Sequence, residues 1–360
     1  MKKTLLVILT AVASLVLAAC DSRPTMVLYN WGEYIDPELV KAFEKEEGIR
    51  VNQVMFTSNE LAITKIQGGD KYDVIIPSEY GTEHLIQLDL LAKIDWTKID
   101  AFNKDTEFAS GLNSLLERLK NETNGYDFLE YSVPYFWGNV GLLYNKNKVE
   151  KSELETRNWE ILKDTKYKVS LYDTSREGLL VALKNAGKSM NSEQTDEINA
   201  AKNWLIDLKN DHGNNVSFVT DQILDQMINP KQMAYDISVA YSGDSVYLMS
   251  ENDQLGYYVP TTGTNIWVDG MVIPKNANQE FAYKFINFIS RHENAKANAE
   301  FIGYTSPFTN IIAELTEEGG EFADFKDAYQ IVFHENDEIY RHNETAKKLI
   351  DEAWNQVKAK

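Results

Sequence analysis

The chain is poor in the residues from which most metal and redox chemistry is built. Of its 360 residues one is cysteine, Cys20, and five are histidine: His84, His212, His292, His334 and His342. A single cysteine forms no intrachain disulfide and no cysteine-rich zinc cluster. The histidines are scattered, with no His-x-x-x-His pair to set two imidazoles on one helix face, so neither a metal site nor a cofactor is expected. Basic residues are scarce as well. Lys and Arg number 36 against 55 Asp and Glu, a formal charge of −19. That balance argues against nucleic acid, whose phosphates need a basic face, and against electrostatic docking on anionic lipid. A cationic small molecule or cationic partner fits it better. Catalytic signatures are missing too. There is no Gly-x-Ser-x-Gly, no P-loop and no Gly-x-Gly-x-x-Gly.

What is present begins with a leader. Met1-Lys2-Lys3 is a short positive stretch, Leu5 to Leu17 an apolar run, and Leu17-Ala18-Ala19-Cys20 a small-residue cleavage site before polar Asp21-Ser22. This is the layout of a secretory signal, too short for a comfortable membrane span. Its end resembles the lipobox of bacterial lipoproteins, cleaved before cysteine and lipidated on the thiol. Because the only cysteine falls there, residues 1–19 are expected to be a signal peptide, 20–25 a lipidated tether at Cys20, and the rest extracytoplasmic. Two acyl chains suffice for stable attachment, so the lipid is the expected membrane contact. No later stretch is apolar enough to cross a bilayer.

The whole chain is 43% hydrophobic and rich in aromatics, with 7 Trp, 15 Phe and 19 Tyr. Its length points to two domains. Strand and helix signals alternate. Met26–Asn30, Ile49–Phe56 and Tyr72–Ile76 read as strands. The helix between the first two is N-capped by Asp36, opened by Pro37 and closed by Gly48. Later strands are expected at Val140–Tyr144, Val169–Tyr172, Met233–Tyr241 and Trp267–Pro274. Helices are expected at Glu193–Asn210, Gln279–Ser290 and Asn343–Lys360. This order implies an α/β fold with parallel strands, in which ligands bind beyond the carboxyl ends of the strands.

At those ends one pattern recurs, an aromatic beside an acid. It follows strands in Trp31-Gly32-Glu33-Tyr34, Pro77-Ser78-Glu79-Tyr80, Tyr172-Asp173-Thr174-Ser175-Arg176-Glu177 and Tyr241-Ser242-Gly243-Asp244, and opens one in Ile266-Trp267-Val268-Asp269. An amine on an apolar chain needs both residue types. Carboxylates give charge-assisted hydrogen bonds to ammonium, and Trp and Tyr faces add cation–π attraction of about 0.5–2 kcal/mol while covering methylenes. Any one such motif is usually a half-exposed aromatic with a solvated acid. Five at strand ends carry more weight. Trp159, Trp204 and Trp354 fall on helical patterns and are assigned to the core, and Trp137 to the chain crossover. The adjacent Tyr257 and Tyr258 could suit ferric ion as phenolates, but their apolar strand favours packing.

The segments Tyr29–Tyr34, Pro37–Gly48, Ser58-Asn59-Glu60 and Tyr72–Ser78, followed by Val133–Gly138, Trp267–Asp269 and Ile302-Gly303-Tyr304, resemble the spermidine/putrescine-binding proteins of bacterial polyamine ABC transporters. The likeness runs in order through nearly the whole mature chain. It implies a type II periplasmic-binding fold, two α/β lobes joined by a hinge and closing on the ligand. The lobes are expected to be 26–132 with 262–310, and 133–261 with 311–360. By position, Trp31, Glu33, Tyr34, Ser78, Tyr80, Glu177, Trp267, Asp269 and Tyr304 match the family's ligand-contact positions, and Tyr241 stands where the family has Trp. Gly32 replaces a usual hydroxyl residue. Thr174 stands where a spermidine-binding relative carries an acid, leaving Asp173 or Asp244 as substitutes. Arg341 falls near a family Gln, where a cation would repel an amine unless it turns away. The resemblance implies a monomeric receptor, not an enzyme, that hands spermidine or putrescine to an ABC permease. The alternatives are a receptor for another solute such as a sugar, and a secreted carboxylate-dependent hydrolase.

Overall fold

A computed structural model describes residues 22–122 and 126–360. Residues 1–19, expected to be a signal peptide, and Cys20, the expected lipidation site, lie outside the described residues. Strands are β1 (Thr25–Trp31), β2 (Arg50–Phe56), β3 (Val74–Ile75), β4 (Ser132–Asn145), β5 (Val169–Tyr172), β6 (Val216–Val219), β7 (Ile237–Tyr241), β8 (Leu255–Tyr258) and β9 (Ile266–Val272). Their order is β2-β1-β3-β9-β4-β7-β5-β6, with β8 also on β4. β1 pairs β2 and β3 in parallel, and β5 pairs β6 and β7 in parallel. The two parallel groups are thus separate, joined by antiparallel β4 and β9.

Local chemistry accounts for the first unit. The Asp36 carboxylate accepts from the Glu38 N–H at the start of helix Pro37–Glu47, and Gly48 ends it at φ 66, a left-handed value that favours glycine. Leu39, Val40 and Phe43 face inward from that helix. The helix returns the chain to β2, parallel to β1, as expected.

β4 joins the groups. Its first half pairs β9 and its second half pairs β7 and β8. All 14 of its residues are buried. Here the strand expected at Val140–Tyr144 proves too short at its N-terminal end. Pro134 sits beside a register shift in the β4–β9 ladder, where the missing N–H is tolerated. β3 is shorter than the expected Tyr72–Ile76, and β7 begins at Ile237 rather than Met233. The flanking residues still bond their neighbours, Asp73 and Ile76 donating to the Val27 and Tyr29 carbonyls of β1 and Asp236 to the Lys168 carbonyl, so the ladders continue past the regular strands as single hydrogen bonds.

Three apolar clusters divide the interior. One lies on the outer face of the β1–β3 group, with Tyr29, Phe56, Ile63, Ile75 and Leu85. A second joins helices Ser175–Asn185, Thr195–His212 and Glu344–Ala359 through Leu179, Leu205, Leu208, Ile350, Trp354 and Val357. The largest fills the rest, around Phe43, Phe136, Val268 and Phe285. Trp159 and Trp354 are core residues, whereas Trp204 is half-buried and donates its indole N–H to Glu160. Trp137 is buried and donates to the Ser306 carbonyl. Tyr257 and Tyr258 are buried, the Tyr257 hydroxyl donating to Asn139 at 3.0 Å, as packing residues. Among the described residues no helix is long and apolar enough to cross a membrane.

Candidate ligand-binding site

The carboxyl ends of β1 and β3 and those of β5 and β7 supply the side chains of one aromatic, acidic cluster. β9 threads it. Trp267 and Asp269 alternate with Val268, so both project to the same side of that strand. Asp269 bridges Ser78 across the backbone, and the Gly270 N–H donates to Pro77. Helix Glu79–Gln87 starts there, so the Ser78-Glu79-Tyr80 step lies against β9. Glu79 is fully buried and accepts from the Val268 N–H at 3.1 Å.

The aromatic wall is built by contacts between rings. Trp267 meets Tyr304 edge-on at 5.3 Å and Tyr241 at 6.1 Å. Tyr304 meets Tyr34 at 5.6 Å. Gly243 permits this: a Cβ there would lie 2.3 Å from the Tyr304 ring. The Tyr304 hydroxyl donates to Asp244 at 2.9 Å, and Tyr172 donates to the other Asp244 oxygen at 3.1 Å. The Tyr241 hydroxyl donates to Glu177 at 2.9 Å, and the Thr174 hydroxyl donates to the second Glu177 oxygen.

Among the described residues several buried polar atoms of the cluster have no hydrogen-bond partner: Asp269 Oδ1, Glu79 Oε1 and the indole N–H groups of Trp267 and Trp31. Burying such groups unpaired costs about 1–3 kcal/mol each, so their concentration marks a site built for something other than stability. Burial pushes the Asp269 carboxyl up to about 7, partly offset by the neighbouring Ser78 and Tyr34 hydroxyls. Burial likewise pushes Asp244 up to about 6 against its tyrosine hydrogen bonds. Glu79 is raised well above the usual carboxylate range by burial and then by the Asp269 charge. Such carboxyls gain most from an arriving cation, which would restore the ionised form.

Tyr34, Ser78, Tyr241, Trp267, Asp269 and Tyr304 therefore converge, with Glu177 attached through Tyr241. Trp31 lies at the end of β1 against Phe56, with ring centroids 4.4 Å apart. Glu33 stands apart: it is exposed, in a left-handed turn at φ 51. Tyr80 is engaged by a protein cation. The Arg176 guanidinium lies 4.3 Å from the Tyr80 ring and 5.2 Å from Tyr340, and 3.5 Å from Glu60. Sequence reasoning quoted Arg176 without giving it a part, because a lone basic residue in an acidic motif carries no directional signal. It also quoted Glu79 without assigning it. The signal was there, since Glu79 follows β3 in the same four residues as Ser78 and Tyr80.

The substitute acids separate clearly. Asp173 is exposed and paired with Lys358 at 2.8 Å, whereas Asp244 is in the cluster. Arg341 turns away from the acids of the cluster: its guanidinium donates to both oxygens of Glu83, at 2.9 and 3.2 Å.

The model of the family described as "Bacterial extracellular solute-binding protein" matches residues 38–324. The chain belongs to that family. It is 30% identical over 295 residues, 81% of this chain and 79% of the relative, to the spermidine/putrescine-binding periplasmic protein of Escherichia coli K12. Among solved structures it is similar to a putative spermidine/putrescine ABC transporter protein from Listeria monocytogenes, with TM-score 0.75 and 32% identity, covering 93% of this chain and 98% of that one. A spermidine/putrescine ABC transporter substrate-binding protein from Streptococcus pneumoniae aligns with TM-score 0.73 and 34% identity over 93% and 99%. The fold is accordingly the two-lobed one of periplasmic substrate-binding proteins, and the chain is a transport receptor of this family rather than an enzyme.

Proposed function

We propose that this receptor captures a polyamine, spermidine and/or putrescine, outside the cytoplasm and delivers it to an ABC permease. The observation that carries the reading is the pair of buried carboxyls with unpaired oxygens, Asp269 and Glu79, beside the Trp267, Tyr304 and Tyr34 rings. An ammonium pairs with the acids while the rings cover its methylenes. Relatives whose names specify spermidine/putrescine or putrescine support it. Asp269 and Glu79 take one amine. Glu177, held by Tyr241 and Thr174, takes a more distant one. The lobes 26–132 with 262–310 and 133–261 with 311–360 close over the ligand, and Cys20 carries the lipid anchor of a monomer.

Calorimetric titration with putrescine, spermidine, spermine and maltose tests the reading. Saturable binding of a polyamine with no heat from maltose is expected. Maltose binding with no polyamine response would overturn it. The anchor has its own test: Cys20→Ser should move the protein from the membrane to the soluble fraction, and salt-resistant membrane retention of that variant would reject lipidation at Cys20.

A further inference from the structure

A second cluster lies outside the aromatic one. His84, on helix Glu79–Gln87, and His342, just before helix Glu344–Ala359, stack their rings 3.6 Å apart at 13°. Ring nitrogens of both and a carboxylate oxygen of Glu344 all lie within 4.8 Å of one another. Both imidazoles are half-buried and neither makes a hydrogen bond among the described residues, while Glu344 is exposed and free to change rotamer. The residues come from separately packed units. Leu85, next to His84, belongs to the outer cluster of the β1–β3 group, whereas Tyr340 and Ile350, flanking His342, belong to the cluster of helix Glu344–Ala359.

We propose that His84, His342 and Glu344 form a binding site for a borderline divalent cation such as Zn2+, which ties these two units together. Two imidazole nitrogens, one carboxylate oxygen and a water complete the four-coordinate shell that zinc takes in open sites. Zinc sits about 2.0–2.1 Å from such ligands, which places neighbouring ligand atoms about 3.3 Å apart. The observed spacing closes to that by rotation of the imidazoles out of their stack and a change of Glu344 rotamer. Coordination needs neutral imidazoles. Burial disfavours the charged form of both rings, reinforced at His342 by the neighbouring His84. The other charges nearby do not bar a cation. Glu60 and Glu83 face His84, and the Arg341 cation beside them is neutralised by Glu83, which also accepts from the His342 N–H at 2.9 Å. Arg176 acts on His342 as a single opposing charge and is itself paired with Glu60. Helical spacing cannot show this site, because its histidines lie at opposite ends of the chain. That is why His-x-x-x-His reasoning expects no metal here.

The test is calorimetric titration of the metal-free mature protein with ZnCl2 at pH 7.5, without polyamine, so that it stands or falls apart from the polyamine reading. One equivalent should bind. His84→Ala and His342→Ala should each weaken binding at least tenfold, and Glu344→Gln by several-fold to tenfold, with circular dichroism unchanged. Zinc-edge X-ray absorption of the wild-type complex should show two imidazoles and needs no variant to fold. No zinc binding, wild-type affinity in both histidine variants, or a zinc shell without imidazole would each overturn the proposal.

Discussion

At the scale of single residues, Asp269 concentrates the electrostatics. Only 5% exposed and with one oxygen unpaired, its carboxyl is raised by burial to about 7. A cationic ligand pairs with the ionised form, so at lower pH binding must first remove a proton. Polyamine affinity should therefore climb as pH rises through about 7, and binding at pH 6 should release a proton, read as a dependence of calorimetric heat on buffer ionisation enthalpy. A heat independent of buffer would count against the assignment. Without ligand the sign for stability is opposite. Between the ordinary carboxylate pKa and about 7 the folded state holds the extra proton, so stability declines as pH rises through that window. Asp269→Asn preserves shape and removes the charge. Losing one partner of a desolvated charge pair costs about 2–5 kcal/mol, or roughly thirty-fold and upward in affinity. Titration of this variant should show that loss for every polyamine. Glu177→Gln should reduce spermidine affinity more than putrescine affinity, since the shorter diamine need not reach it. Equal losses would remove Glu177 from the role of distal reader.

At the scale of elements, close packing sets which glycines are required. Gly178, inside helix Ser175–Asn185, lies under Trp354 of helix Glu344–Ala359, and a Cβ at Gly178 would meet the indole at 2.3 Å. Helix propensity favours alanine over glycine by about 1 kcal/mol, but overpacking costs about 1–3 kcal/mol and acts on a ring held in the core. Gly178→Ala should accordingly lower the denaturation midpoint. A stabilised variant would mean that Trp354 yields freely. The same two helices carry Ser175 and Asp351, whose hydroxyl–carboxylate hydrogen bond of 2.6 Å fixes their relative height. That height positions Arg176 and Glu177, the next residues, at the edge of the aromatic cluster. Packing between helices is in this way coupled to the placement of charged side chains.

At the scale of the whole molecule, polar contacts join distant parts of the chain around the cluster. Glu83, on the helix after β3, receives two Arg341 guanidinium hydrogen bonds and the His342 N–H from the segment before the last helix. Glu60, on the helix after β2, pairs with Arg176 after β5. These contacts belong to the arrangement in which the site residues are buried. Separating the lobes would break them and rehydrate the acids. Ligand binding should thus favour the compact form, and small-angle scattering should show a smaller radius of gyration with polyamine. An unchanged radius at calorimetrically confirmed saturation would contradict the hinge. Glu83→Gln weakens three hydrogen bonds, two of them to a guanidinium, at about 1–3 kcal/mol of the closed form. The measurement is the ligand-free radius, which should grow relative to wild type.

Periodicity and local capping determined much of this fold before any tertiary contact. The β1–helix–β2 order, the Asp36 and Gly48 caps, the strand at 169–172, a strand expected at 267–274 and found at 266–272, and the helix at 279–290 all follow from signals within a few residues of each other. Carboxyl ends of strands also marked where Tyr34, Ser78 and Tyr241 would gather, whereas Trp267 and Asp269 come from within β9. What only the tertiary structure decided was partnership. β4 is buried on both faces and has no alternation to read, so its full length emerged from β9, β7 and β8 alongside it. Tyr80 faces Arg176, Arg341 faces Glu83, Glu79 is sealed against Val268, and Glu33 turns out to solvent. His84 meets His342 across most of the chain's length. Local sequence sets backbone conformation through short-range sterics and hydrogen bonds, whereas the choice of partner for a charge or a ring depends on which distant strands the folded sheet brings side by side.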